Sequence, residues 1–246
     1  MKKTNHYLLF LASCLLALVS CAGNNAPTNA APPALPEMYR NAYAKVDKDN
    51  YDEAAGIFLE IESTYPTSKW AADALVMAVY SQYQAERFAD ALATIDRFMR
   101  FHPGHEDAAY MLYIKGMCYY RQVSDVRREP GMSNYAMSAF NQLLQRFPKS
   151  EYAKNAKNKI MILKNYIAGK IMYSARRDLA RQNYPVAITN LQKIILQMQD
   201  TQMTPEAMFR LTEAYAAIGL PEQAAGYAEM LRKNFPESVW TKKLKN

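Results

Sequence analysis

The chain has 246 residues, a formal net charge of +7 and three cysteines, Cys14, Cys21 and Cys118. That length leaves room for one large domain or a repeat array. Three cysteines, two of them in the first 21 residues, exclude a disulfide framework as the source of stability.

Lys2 and Lys3 precede an almost unbroken apolar run over residues 7–19. This is the pattern of a secretory signal peptide, and it is too short for a comfortable membrane-spanning helix. The run ends in Leu18-Val19-Ser20-Cys21, an apolar-apolar-small-Cys sequence of the kind that lipoprotein signal peptidase cuts before the cysteine. Leu11-Ala12-Ser13-Cys14 has the same form, but cleavage there would strand residues 15–19 on the mature chain. Residues 1–20 are therefore read as the signal peptide and Cys21 as the site of a covalent lipid. More than one acyl chain on that cysteine is what stable anchoring needs. Ala22, not Asp, stands after the cysteine, so nothing argues for retention at the inner membrane. The expected location is the outer membrane, at its periplasmic face. Residues 21–36, rich in Ala, Asn and Pro, read as a flexible tether, with folding expected to begin near Glu37.

From there the chain repeats itself. Small residues recur at Ala54, Ala91, Ala136, Ala187 and Ala224. An apolar residue lies four later at Phe58, Ile95, Phe140, Leu191 and Ala228, and another seven later at Ile61, Phe98, Leu143, Ile194 and Leu231. Spacings of four and seven put these residues on one helix face. Tyr51, Phe88 and Tyr184 stand three residues before the small residue, and Pro66, Pro103, Pro148 and Pro236 twelve after it. The prolines end the second helix of each unit, and Ser68, Ser150 and Ser238 are placed to cap the next helix or turn. This is the tetratricopeptide pattern. It predicts an all-α, tetratricopeptide-like helical solenoid of about five helix pairs over residues 37–246, with N-terminal repeats over 37–148 and C-terminal repeats over 149–246. Two intervals exceed the usual unit: one holds a polar loop with Arg127-Arg128-Glu129-Pro130-Gly131, the other a proline-free helical run over 151–182.

The first helix of each pair should line the concave face, which makes Tyr39, Tyr43, Tyr80 and Tyr83 the candidate peptide groove. Tyrosine offers apolar area with a polar handle and suits peptide capture. Catalysis has no support. His102 and His105 flank a turn with no Cys or close carboxylate pair to complete a metal set, and no phosphate loop or G-x-S-x-G is present. No cofactor other than the lipid on Cys21 is expected, and no metal. Charge is divided: residues 37–107 are net acidic, while residues 146–181 carry Lys149, Lys154, Lys157, Lys159, Lys164, Lys170, Arg176 and Arg177. In an exported lipoprotein this points to acidic protein surfaces or anionic headgroups, not to nucleic acid.

The lipobox, the five units, the turns Tyr65-Pro66-Thr67-Ser68 and Phe147-Pro148-Lys149-Ser150, the segment 91–103, the basic loop and the long helix together resemble the BamD family. The resemblance covers essentially the whole mature chain. It implies a lipoprotein of the β-barrel assembly machinery that docks through its C-terminal repeats on the POTRA domains of the barrel-forming subunit BamA, beside other assembly lipoproteins. It also implies N-terminal repeats that engage unfolded outer-membrane proteins. Arg181 and Tyr184 fit the Arg and aromatic found entering the fourth unit in that family, and with Arg176 and Arg177 they form the candidate partner interface. Thr189 and Asn190 stand where many members carry a further Arg. Two other functions share the general pattern: a pilotin-like escort for a secretin, and a scaffold of the cell envelope. Inserts of 8 and 14 residues over the 37-residue spacing favour the BamD pattern over both.

Overall fold

Eleven α-helices account for the regular structure of residues 34–123 and 131–244, the residues that the computed structural model describes. Cys21, most of the proposed tether and the loop bearing Arg127 and Arg128 lie outside them. Five antiparallel pairs succeed one another: α1 Leu35–Val46 with α2 Tyr51–Thr64, α3 Ala71–Gln84 with α4 Phe88–Phe101, α5 Ala108–Arg121 with α6 Gly131–Arg146, α7 Tyr152–Ala180 with α8 Tyr184–Gln197, and α9 Thr204–Ala217 with α10 Pro221–Asn234. A one-turn helix, α11 Val239–Lys242, closes the end against α9 and α10. Each helix packs on the next in sequence, and the first helices α3, α5 and α7 also touch one another. The result is a solenoid, with α1 starting two residues before the expected Glu37.

The repeated small and apolar residues form the core. Ala54, Phe58 and Ile61, Ala91, Ile95 and Phe98, Ala136, Phe140 and Leu143, and Ala187, Leu191 and Ile194 are all fully inaccessible, and Ala224, Ala228 and Leu231 are buried in the last unit. A small residue at the first of these places lets the paired helix approach; the larger ones fill the space between units.

Both kinds of turn are repeated as well. Within the first, second, fourth and fifth pairs, one residue adopts a left-handed conformation: Asp49 (φ 56°), Glu86 (58°), Gln182 (59°) and Gly219 (78°). The amide of the next residue donates to a carbonyl five back, Asn50 to Lys45, Arg87 to Gln82, Asn183 to Asp178 and Leu220 to Tyr215, at 2.9–3.0 Å. This Schellman arrangement satisfies the last carbonyls of each first helix. Between pairs, the amides of Ser68, His105, Ser150, Thr201 and Ser238 donate to the carbonyl three back at 3.0–3.1 Å. The Oγ atoms of Ser68 and Ser238 accept from the amides of Trp70 and Trp240, each at 3.2 Å. The expected cap at Ser150 is not made, because its Oγ is buried without a hydrogen-bond partner among the described residues.

The 29-residue α7, about 44 Å long at 1.5 Å per residue, is the exception to the repeat. Its first half places Ala156, Ile160 and Leu163 in a core with α5 and α6. Its second half places Ile167, Ala168, Met172 and Ala175 in a core with α8 and α9. Units are further tied by ion pairs about one repeat apart: Asp52 with Arg87, Glu62 with Arg97, Glu86 with Arg121, and Lys164 with Asp200.

Candidate functional site

The inner face between α3, α5 and α7 carries a groove of about 270 Å³ lined by Val76, Met77, Tyr80, Asp107, Tyr110 and Tyr152. Tyr110 and Tyr113, three residues apart, lie on the same side of α5. The Tyr152 ring stacks on Tyr113 at 5.2 Å and lies 5.6 Å from Tyr110. Tyr113 donates to Asn155 Oδ1 at 3.1 Å. Burial pushes the phenols of Tyr110, Tyr113 and Tyr152 above the ordinary tyrosine range, so they remain neutral hydrogen-bonding groups at physiological pH.

The four tyrosines expected on the concave face do not form one site. Tyr80 is half-buried, lines the groove and meets Tyr51 edge-on at 6.2 Å. Tyr83, one turn along, is packed between Phe88 and the Arg121 guanidinium, each about 5.9 Å from its ring. Tyr43 is 45 % exposed in the last turn of α1, edge-on to Phe58. Tyr39 is corrected to a core residue: it is 6 % exposed, its ring meets Phe58 and Trp70, and its hydroxyl donates to the Trp70 carbonyl at 2.6 Å. Trp70, supplied by the turn between pairs, roofs it. The groove residues missing from the sequence reading are Val76, Met77, Asp107, Tyr110 and Tyr152. The Tyr80/Tyr83 spacing recurring as Tyr110/Tyr113 is the pattern that marks Tyr110.

The histidines also need a correction. Two carboxylates do flank His105: Asp73 Oδ1 lies 3.5 Å from Nε2 and Asp107 Oδ2 3.6 Å from Nδ1, and the three side chains offer ligand atoms within 4.8 Å of one another. The set nevertheless does not suit a metal. His105 occupies the place of Ser68 in its turn, and its Nδ1 accepts from the Asp107 amide at 3.2 Å. That bond uses one ring lone pair and leaves the proton on Nε2, facing Asp73. His105 is a capping residue.

At the other half, the basic end of α7 divides. Arg176 is committed to the buried Glu206, with Nε to Oε1 at 2.8 Å and a second bond from Nη2 to Oε2. Arg177 and Arg181 are exposed at the helix end. Tyr184 begins α8 half-buried against the core shared with α7 and α9. Of the other cations of this stretch, Lys159 sits over the Tyr120 ring and Lys164 pairs with Asp200.

The family model described as an outer membrane lipoprotein, YfiO, matches residues 33–231. The outer membrane protein assembly factor BamD of Caulobacter vibrioides is 36 % identical over 203 residues, covering 82 % of this chain and 67 % of that protein. BamD of Neisseria meningitidis serogroup A is 31 % identical over 245 residues, covering 94 % and 92 %. Among solved structures, the TPR2AB domain of yeast Sti1 in its pHSP90 complex aligns over 84 % of this chain and 80 % of that one, at 11 % identity and a TM-score of 0.43. The family match spans all five helix pairs, and it sets aside the pilotin and envelope-scaffold readings. The chain belongs to the BamD family of outer membrane lipoproteins, non-enzymatic assembly factors for outer membrane proteins.

Proposed function

We propose that the chain is the helical-repeat adaptor of a β-barrel assembly complex. Residues 1–20 are its signal peptide, and lipid on Cys21 holds the solenoid at the periplasmic face of the outer membrane through the adjoining tether. The C-terminal repeats dock on POTRA domains of a BamA-like subunit, with Arg177 and Arg181 at the rim of that contact. The groove across α3, α5 and α7 receives an extended segment of an unfolded outer-membrane protein. The observation that carries this reading is the line of tyrosines along adjoining first helices. A groove of aromatic rings with polar tips holds an extended chain by apolar contact while hydroxyls meet its backbone.

Site-directed photocrosslinking in intact envelopes tests the assignment. A photoreactive residue replacing Tyr80 should capture nascent barrel substrates, and one replacing Arg181 should capture the barrel-forming subunit. The reverse pattern, or substrate captured only at exposed positions outside the groove, would overturn it.

A further inference from the structure

We infer that the groove between α3, α5 and α7 selects a basic side chain, Lys or Arg, in the segment it holds. The inference rests on the reading of this groove as the substrate site and adds a chemical preference to it.

Asp107 is the deciding residue. It stands at the N-cap of α5, where an aspartate ordinarily accepts from the helix amides, yet its carboxylate makes no cap hydrogen bond. His105 has taken over the turn by accepting from the Asp107 amide, which leaves the carboxylate free to face the groove. The carboxylate's contact with His105 Nδ1, at 3.6 Å, lies beyond hydrogen-bond reach, and that nitrogen already accepts from the Asp107 amide. Among the described residues, neither Asp107 nor the neighbouring Asp73 pairs with a Lys or Arg. Elsewhere in the first three units Asp52, Glu53, Glu62, Glu86, Asp90 and Asp96 have such a partner. The other described carboxylates there that lack one, Glu37, Asp47, Asp49, Glu60 and Glu106, are exposed to water, as Asp107 in its groove is not.

The rest of the groove suits the remainder of a basic side chain. Val76 and Met77 offer an apolar surface to the methylene stem, and Tyr80, Tyr110 and Tyr152 line the same space with aromatic rings. Long basic side chains bury the stem and leave the head among polar groups, and a cation over aromatic rings gains from the ring quadrupole. Asp73 and Glu106 add negative charge close enough to act on Asp107. An acidic side chain would meet repulsion there, and an aliphatic one would leave Asp107 half-desolvated and unpaired.

The test uses the detergent-solubilised lipoprotein and fluorescent peptides of alternating apolar and polar residues ending in Phe. One position at a time carries Lys, norleucine or Glu, and anisotropy reads affinity. At the position that enters the groove, Lys should bind about ten-fold tighter than norleucine, as a charge-assisted bond plus ring contacts implies. Glu should bind weakest. Asp107→Asn should bring Lys and norleucine within about two-fold, whereas Asp52→Asn, which removes a distant carboxylate, should leave the preference intact. Peptides that all bind alike, with Tyr80→Ala weakening all of them, would overturn the cation preference and keep the groove. Binding that Tyr80→Ala and Tyr110→Ala leave unchanged would overturn the groove reading itself. If Asp52→Asn lowers the preference as much as Asp107→Asn, the effect is long-range charge and the pocket is refuted.

Discussion

Gly116 on α5 and Phe140 on α6 divide a single volume: a methyl group on Gly116 would lie 2.5 Å from Cδ1 and 2.8 Å from Cζ of the Phe140 ring. Both residues are buried at the centre of the third unit. The repeat needs glycine here because the ring it faces is already enclosed and has nowhere to retreat. Gly116→Ala should therefore destabilise the protein by about 1–3 kcal/mol through overpacking, although alanine is the better helix former. Phe140→Leu alone should also destabilise. The double variant should be more stable than the sum of the two predicts, since the smaller side chain makes room for the methyl. Urea unfolding of the four proteins measures the coupling, and strict additivity would contradict the shared volume.

The left-handed turn residues make a second prediction. Gln182 adopts at φ 59° a conformation that Gly219 supplies at 78° in the next unit. An L-residue pays roughly 1–2 kcal/mol for that conformation, while glycine carries a larger unfolded-state entropy. Gln182→Gly should raise stability by about 1 kcal/mol or slightly less, and Gly219→Ala should lower it by a similar amount. Glu86→Gly should gain less than Gln182→Gly, because Glu86 also pairs with Arg121. Thermal melts of the three variants establish the order.

The basic end of α7 should separate by residue. Arg176→Ala removes both hydrogen bonds from the buried Glu206, leaving it only the ion pair with Arg210 at 3.5 Å, and should lower stability by about 1–3 kcal/mol. Arg177→Glu and Arg181→Glu should leave melting nearly unchanged and slow association with purified POTRA domains, most clearly at low salt, because rim charges act chiefly on the on-rate. Stopped-flow association at two ionic strengths decides; unchanged rates for both variants remove this end from the interface.

Cys118 predicts a pH effect. It is fully buried, and burial pushes its thiol up to about 12. The native state thus holds the proton more tightly than the unfolded chain, whose thiol titrates near about 8.5. The stabilisation is whole below that unfolded value and is lost as pH rises from about 8.5 toward 12. Relative to Cys118→Ala, the native protein should lose stability more steeply across that window. The thiol should also stay unreactive toward a disulfide reagent at pH 8 until the chain unfolds.

The second helices were fully legible in the sequence. Offsets of four and seven from Ala54, Ala91, Ala136 and Ala187 define a face, and a face is all that a core helix needs. The groove was legible only in part. Helical register places Tyr39 near Tyr80, but whether a ring is open or roofed depends on Trp70, which arrives from a turn 31 residues later. Asp107 was hidden for a different reason. Its residue type and its place before α5 suggest an ordinary helix cap, and only the three-dimensional turn shows His105 doing that work. Aligning Ser68, His105, Ser150 and Ser238 by their prolines would have marked His105 as a cap, yet not where the displaced carboxylate goes. Likewise, Arg176 reads as one more cation of a basic run until Glu206, 30 residues away, is seen beneath it.

The long α7 gives the solenoid a mechanical property that five ordinary units would lack. Tyr152 in the groove begins the helix, and Arg177 and Arg181 lie at its far end. Between them the rod is gripped by two cores, one on each half. Repeats that touch only their neighbours dissipate a displacement unit by unit, whereas a continuous helix transmits it end to end. A tilt imposed on the rod at the Arg181 end would therefore reach Tyr152 and its ring contacts with Tyr110 and Tyr113. Gly169 lies near the middle of the rod with open space where a side chain would stand, and glycine holds a helix less firmly than alanine does. Gly169→Ala should stiffen the rod, and the width of the groove would then follow a displacement of the Arg181 end more closely.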